Sequence, residues 1–145
     1  MFKTIRLLAN VSRPEFLPAN LASLVMAISW AINPAMFVAA DVLILAALSF
    51  VILTLVSLIG AQLNSIFDYE LDLTDANKKG IVQDIDRLGR SKIKSIVIVE
   101  FLLSLPFILL LLSIRWQPML LFMWLAGNFL AYSYSAPPFR LKSRS

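Results

Sequence analysis

The longest uncharged stretch of the chain, from Val42 to Phe67, reads VLILAALSFVILTLVSLIGAQLNSIF. A helix rises about 1.5 Å per residue, so roughly 20 residues cross a hydrocarbon core about 30 Å thick. This stretch is therefore long enough to span a membrane as a helix. The composition agrees, because 59% of the 145 residues are hydrophobic and only 15% are charged. Soluble proteins carry about 25% charged residues, so we expect a membrane protein.

Three further apolar stretches extend this pattern to four transmembrane helices. The predicted spans, within a single transmembrane domain over residues 1–145, are residues 16–33, 42–67, 94–114 and 117–135. Pro34 and Pro118 mark tight turns after the first and third spans, because the residue before a proline disfavours helix. We therefore predict an all-α, polytopic membrane fold.

The basic residues indicate how the chain is oriented. Every Lys and Arg except Arg115 precedes the first span, lies between the second and third spans or at the first residue of the third (Lys94), or follows the fourth. Positive residues accumulate on the cytoplasmic side of membrane proteins. We expect a multi-pass integral membrane protein whose N- and C-termini and Asp-rich loop, over residues 68–93, are cytoplasmic. The basic residues behind the net charge of +4 then mark the topology of the chain. We expect membrane lipids as its surroundings and no nucleic-acid partner.

The chain contains neither Cys nor His. It therefore lacks the groups needed for a thiolate zinc site, a disulfide, an imidazole base or a Ser-His-Asp triad. Most familiar hydrolase and redox chemistries are excluded. Carboxylates, amides, hydroxyls, Lys and Arg remain as the groups that carry chemistry.

Asn64, Asp68 and Asp72 follow one another at intervals of four residues where the second span ends. At about 100° per residue they share one face of a helix. Like charges four residues apart repel each other, so the pattern requires a counter-cation or free hydration. Oxygen ligands without His or Cys favour Mg²⁺, which commonly links one or two carboxylates to phosphate oxygens. The alternative is a helix end in water, but Asn64 still lies inside the apolar run, which favours a site.

The connection between the second and third spans is amphipathic and basic. Ile81, Ile85 and Leu88 recur at helical spacing and predict a short helix against the membrane surface. Arg87 and Arg90 are candidates for binding a diphosphate, since guanidinium groups match phosphate oxygens in forked contacts. The alternative for each arginine is a topology signal alone.

The fourth span ends in polar residues. Asn128 and Tyr132 are four residues apart, and Tyr134, Arg140 and Lys142 follow. These side chains are candidates to close a polar site beside the Asp-rich helix end, since both ends are expected on the same side of the membrane. The alternative is an interhelical hydrogen bond from Asn128, tyrosines at the interface and positive residues beyond them.

The ordered set of motifs resembles the UbiA-type intramembrane prenyltransferases. The set comprises Asn-x3-Asp-x3-Asp at a helix end, a basic loop, and YSAPPFRLK over residues 134–142. Arg13-Pro14-Glu15 before the first span is also similar to that family's opening. The resemblance implies Mg²⁺-dependent transfer of a prenyl group from a prenyl diphosphate to an aromatic or other lipophilic acceptor in the membrane.

The resemblance also assigns roles by position. Asn64, Asp68 and Asp72 would hold Mg²⁺ as the first Asp-rich motif, and Tyr134 and Lys142 would stand for the family's Tyr/Lys pair. The implied catalytic residues are thus Asp68, Asp72, Tyr134 and Lys142. The implied substrate-binding residues are Asn64, Arg87, Arg90, Asn128, Tyr132 and Arg140.

The resemblance covers nearly all of this chain but only the first half of the family's larger helical bundle. It implies a truncated or split enzyme, completed by a complementary C-terminal half or another membrane subunit. A non-enzymatic four-span accessory or scaffold protein stays open as the alternative. The phospholipid-forming CDP-alcohol phosphotransferases also set carboxylates at a membrane helix end, but their Asp-Gly-x2-Ala-Arg signature is absent here.

Overall fold

The computed structural model describes residues 2–13, 18, 21–22, 24–26, 40–114 and 116–139. Over these residues the chain is helical and contains no β-strand, which confirms the all-α class. The helices, numbered in chain order, are α1 (Phe2–Val11), α2 (Ala40–Phe67), α3 (Tyr69–Asp72), α4 (Lys79–Leu88), α5 (Arg90–Ile114) and α6 (Pro118–Ser135), with a 3₁₀ turn over Ala76–Lys78.

By length and composition, two of the described helices are able to cross a membrane. They are the segment Val42–Phe67 of α2 and the whole of α5, which match the second and third predicted spans. α6 has 18 residues and carries Asn128, Tyr132 and Tyr134 in its second half, and these polar groups lower its mean hydropathy. The predicted first span, residues 16–33, lies mostly outside the described residues. The count of four spans therefore stays a prediction.

α2 is the central helix and packs against both α5 and α6. The buried residues of this contact are Leu48, Ile52, Ile108, Leu111, Leu112 and Trp124. The Trp124 indole stacks on Phe101 with ring centroids 5.2 Å apart, and its Nε1 donates to Ser104 Oγ at 3.1 Å. The polar edge of the indole is thus satisfied inside an apolar core.

α1 and α4 pack together at the end of the bundle that carries the Asp-rich segment. Their shared buried cluster, which also includes one residue each from α2 and α5, is Val11, Ile66, Ile85, Leu88 and Ile93. Asn10 Nδ2 donates to Asp84 Oδ2 at 2.8 Å across the same contact. The amphipathic helix predicted for this connection is confirmed. Its apolar face, however, meets other helices of the protein.

α3 has an unusual distribution of side chains. Its acidic residue Asp72 is 2% exposed, whereas Leu71 and the following Leu73 are 64% and 48% exposed. A short helix in water would normally bury its leucines and expose its aspartate. α3 therefore turns a carboxylate inward and two apolar side chains outward.

Candidate functional site

The Asn64–Asp68–Asp72 series keeps its helical register although α2 ends at Phe67. The Asp68 amide donates to the Asn64 carbonyl at 2.9 Å, and the Asp72 amide donates to the Asp68 carbonyl at 2.8 Å. These are the bonds between residues four apart that a continuous helix would make. Asp68 and Asp72 are 5% and 2% exposed, so both carboxylates lie inside the protein.

Lys78 supplies a counter-cation for the second of these carboxylates. Its Nζ lies 2.6 Å from Asp72 Oδ1, and the other oxygen, Oδ2, is buried without a hydrogen-bond partner. Lys78 ends the 3₁₀ turn, which begins where the Asp75 side chain accepts from the Asn77 amide at 2.9 Å. The spacing of the aspartates predicted either a counter-cation or free hydration, and it did not single out Lys78 among the basic residues of the loop.

The end of α6 lies beside the end of α2. Ser135 Oγ donates to Asn64 Oδ1 at 3.0 Å, and the Phe67 and Tyr132 rings meet edge to face with centroids 6.3 Å apart. Tyr134, in the same last turn of α6, is half-exposed. Arg140 and Lys142 lie outside the described residues. The structure thus pairs Asn64 with Ser135, which the sequence argument did not select, and Tyr132 with Phe67.

Arg90 is held beside α3 by an aromatic ring and a carboxylate. Its guanidinium lies 4.3 Å from the centroid of the Tyr69 ring and 3.4 Å from Glu70 Oε1. Tyr69 donates its hydroxyl proton to Asp86 at 2.6 Å, and this hydrogen bond raises the pKa of Tyr69. Arg87, on α4, is exposed. Of the two predicted phosphate-binding arginines, Arg90 contacts two residues of α3, Tyr69 and Glu70.

An apolar cavity of about 590 Å³ opens between α2, α5 and α6. Its polar lining residues are Lys94, Asn128 and Tyr132. Its apolar lining residues are Ile59, Leu63, Phe67, Val97, Ile98, Phe101, Leu125 and Phe129. Asn128 donates from Nδ2 to the Trp124 carbonyl at 2.9 Å, within its own helix, and its Oδ1 is buried without a partner.

A buried polar cluster connects three helices near the same end. Gln62 Nε2 donates to both Ser12 Oγ and Glu100 Oε1, each at 2.9 Å. Ser65 Oγ donates to the Val11 carbonyl at 3.3 Å one turn away. Gln62 is fully buried, and its position inside the uncharged stretch was the available sequence signal.

The donor set fits a metal shared with a ligand better than a metal held by protein alone. Among the described residues, no group of three or more acidic side chains is placed to hold an ion. Mg²⁺ is commonly held by one or two carboxylates together with phosphate oxygens. Asp68 and Asp72 supply two buried carboxylates, and Asp72 Oδ2 is an acceptor that lacks a donor.

No protein-family model matches this chain, and neither a curated protein nor a solved structure matches it.

Proposed function

We propose that this chain takes part in Mg²⁺-dependent prenyl transfer within a membrane. One observation carries the proposal: Phe67 lines the apolar cavity, and the next residue, Asp68, begins the carboxylate-bearing segment, so cavity and carboxylates adjoin along the chain. A prenyl diphosphate has the same division, with a charged head group and a long apolar chain. The head would bind at Asp68 and Asp72, and the chain would lie in the cavity.

Positive charge at the head-group end supports the transfer step. Lys94 lines the cavity, and Lys78 lies at Asp72. When the allylic C–O bond breaks, the carbon becomes cationic and negative charge builds on the departing diphosphate. Lys side chains stabilise that charge, and a bound Mg²⁺ would supply further electrostatic stabilisation. The apolar cavity would keep water away from the cation until the acceptor attacks.

This reaction requires no nucleophilic side chain from the protein. The acceptor provides the electron pair that forms the new bond and loses a proton, which the departing diphosphate would take up, so neither Cys nor His is needed. Asp68 and Asp72 would hold the metal against the diphosphate, and Asn64 would remain fixed by Ser135. A second set of carboxylates would come from a complementary bundle or another membrane subunit.

A non-enzymatic scaffold is the second candidate. The ion pair between Lys78 and Asp72 favours it, because it shows that a basic side chain satisfies this carboxylate without a metal. In a scaffold the Asn64–Asp72 face would serve to bind a basic segment of a partner. The two candidates differ in whether ligand retention requires a divalent cation.

Binding of radiolabelled farnesyl diphosphate to the full chain in lipid nanodiscs tests the proposal. We expect Mg²⁺-dependent retention that chelation abolishes and that Asp68→Asn or Asp72→Asn lowers at least about tenfold, since losing even a group that only supports a metal ligand costs about 10–100-fold in metal affinity. Glu70→Gln is the matched control, since the Glu70 side chain is 73% exposed. Retention of farnesyl diphosphate that is unchanged without Mg²⁺ and in both aspartate variants would contradict prenyl transfer and favour the scaffold.

A further inference from the structure

The ion pair at Asp72 joins a buried group to a more accessible one. The Asp72 side chain is 2% exposed and the Lys78 side chain is 31% exposed, with 2.6 Å between Nζ and Oδ1. An ionised carboxylate in such a place requires a cation, because burial without one is costly. If Lys78 moves away, another cation therefore has to take its place at Asp72.

The segment that carries Lys78 is short and bonded to itself. Thr74 Oγ1 donates to the Leu71 carbonyl at 2.7 Å, and Asp75 accepts from the Asn77 amide at 2.9 Å. These contacts fix the backbone that leads to Lys78, six residues after Asp72. The lysine stem is long and flexible, so its ammonium can move while this backbone stays in place.

We propose that Lys78 is an exchangeable counter-ion, which neutralises Asp72 in the empty site and moves to the diphosphate when Mg²⁺ binds. This inference rests on the proposed function. Mg²⁺ at Asp72 Oδ2 and the ammonium at Oδ1 would repel each other, so a bound metal weakens the contact that holds Lys78 at this carboxylate. When the metal binds alone, the Lys78 ammonium loses its anion. When the metal binds together with a diphosphate, the diphosphate becomes the new anion for Lys78.

The exchange couples the two ligands. Lys78 competes with the metal for Asp72, and it attracts the diphosphate once it is displaced. Metal and diphosphate should therefore bind together far better than either binds alone, and the coupling is reciprocal. An ion pair that merely fastened the loop would have no opposite effects on the two ligands.

The test compares wild type with Lys78→Met as the full chain in nanodiscs. Mn²⁺ binding without anion is read from the electron paramagnetic resonance signal of free Mn²⁺, and retention of labelled inorganic pyrophosphate is measured at fixed Mg²⁺. We expect Lys78→Met to bind Mn²⁺ about tenfold more tightly and pyrophosphate about tenfold more weakly, within the usual range of coupling. Lys79→Met is the matched control, because Lys79 is the exposed next residue.

The outcomes separate the two levels of the proposal. If Lys78→Met leaves both affinities unchanged, or moves both in the same direction, Lys78 is not an exchangeable counter-ion. If Asp72→Asn binds Mn²⁺ and pyrophosphate as wild type does, the proposed function itself is overturned. Circular dichroism checks that the variants fold, and Lys78→Gln provides a second neutral variant for which the same opposite changes are expected.

Discussion

At the scale of single residues, Gln62 does the most to connect separate parts of the chain. Its amide group donates to Ser12, just after α1, and to Glu100 in α5, and it is fully buried in α2. Glu100 lies in surroundings poor in other donors, since its Oε2 has no hydrogen-bond partner. Removing the donor would leave polar atoms unsatisfied where water is scarce.

We therefore expect Gln62→Leu to lower the free energy of unfolding by about 1–3 kcal/mol, the usual cost of leaving buried polar groups unpaired. Thermal unfolding in detergent, followed by Trp fluorescence, measures the change. Gln83→Leu makes the same substitution at an exposed position of α4 and should stay within about 0.5 kcal/mol of wild type. Equal losses in the two variants would show that the Gln62 contacts contribute nothing specific.

Single residues also mark the limit of what the sequence predicted. The four-residue spacing identified Asn64, Asp68 and Asp72, because helical periodicity is a local property that can be read directly from the sequence. The partners of Asn64 and Asp72 were not selected by the same reasoning. Ser135 is 71 residues from Asn64, and Lys78 is reached through a non-helical turn, so both contacts depend on how segments pack.

At the scale of helices, the pairing of α2 with α6 positions the candidate site. The Ser135–Asn64 hydrogen bond and the Phe67–Tyr132 contact fix the two helix ends side by side. The sequence placed both ends on one side of the membrane by counting basic residues. It contained no signal for the distance between them, because Asn128 and Tyr132 were equally consistent with a contact to any neighbouring helix.

This pairing predicts a specific cross-link. The chain has no native cysteine among its 145 residues, so an engineered pair reports one contact. We expect Asn64→Cys with Ser135→Cys to form a disulfide under mild oxidation, because the two native side chains are hydrogen-bonded. Asn64→Cys with Tyr134→Cys is the control, since the half-exposed Tyr134 is adjacent in sequence to Ser135. Non-reducing and reducing gel mobility after proteolysis between α2 and α6 reads the result, and equal cross-linking of both pairs would contradict this helix register.

At the scale of the whole molecule, charge and apolar surface are segregated. Apart from Asp41 at the start of α2, the described charged residues cluster at the end formed by α1, α3, α4 and the start of α5, and Glu100 lies one to two turns farther along α5. The 25 residues of α5, at about 1.5 Å each, extend roughly 37 Å to the opposite end. That length exceeds a hydrocarbon core of about 30 Å, so the two ends should reach opposite surfaces of a bilayer.

Accessibility to a membrane-impermeant maleimide checks this orientation in sealed vesicles. We expect Lys79→Cys to label from the cytoplasmic side and Trp116→Cys, at the exposed turn between α5 and α6, to label from the other side. Ser143→Cys should label together with Lys79→Cys, as the distribution of basic residues predicts. Labelling of Lys79→Cys and Ser143→Cys from opposite sides would separate the chain's last residues from the candidate site.

Composition and periodicity were sufficient for the helical class and for the two long apolar helices. They were less informative for α6, where tyrosines and serines near its end weaken the apolar signal. They also placed the amphipathic helix α4 on the membrane surface, whereas its apolar face packs on α1. Periodicity reports that a face is apolar, and it does not report whether lipid or protein covers that face.

The outward leucines of α3 have a consequence for how a ligand would arrive. Leu71 and Leu73 flank the inward Asp72, so in a bilayer this segment would favour insertion among lipid head groups over suspension in solution. A lipid-soluble ligand would then reach the carboxylates by lateral diffusion in the plane of the bilayer, without first desorbing. Occupancy of the site would follow the mole fraction of ligand in the lipid. Adding ligand-free lipid at constant total ligand would dilute the ligand within the bilayer and lower the occupancy.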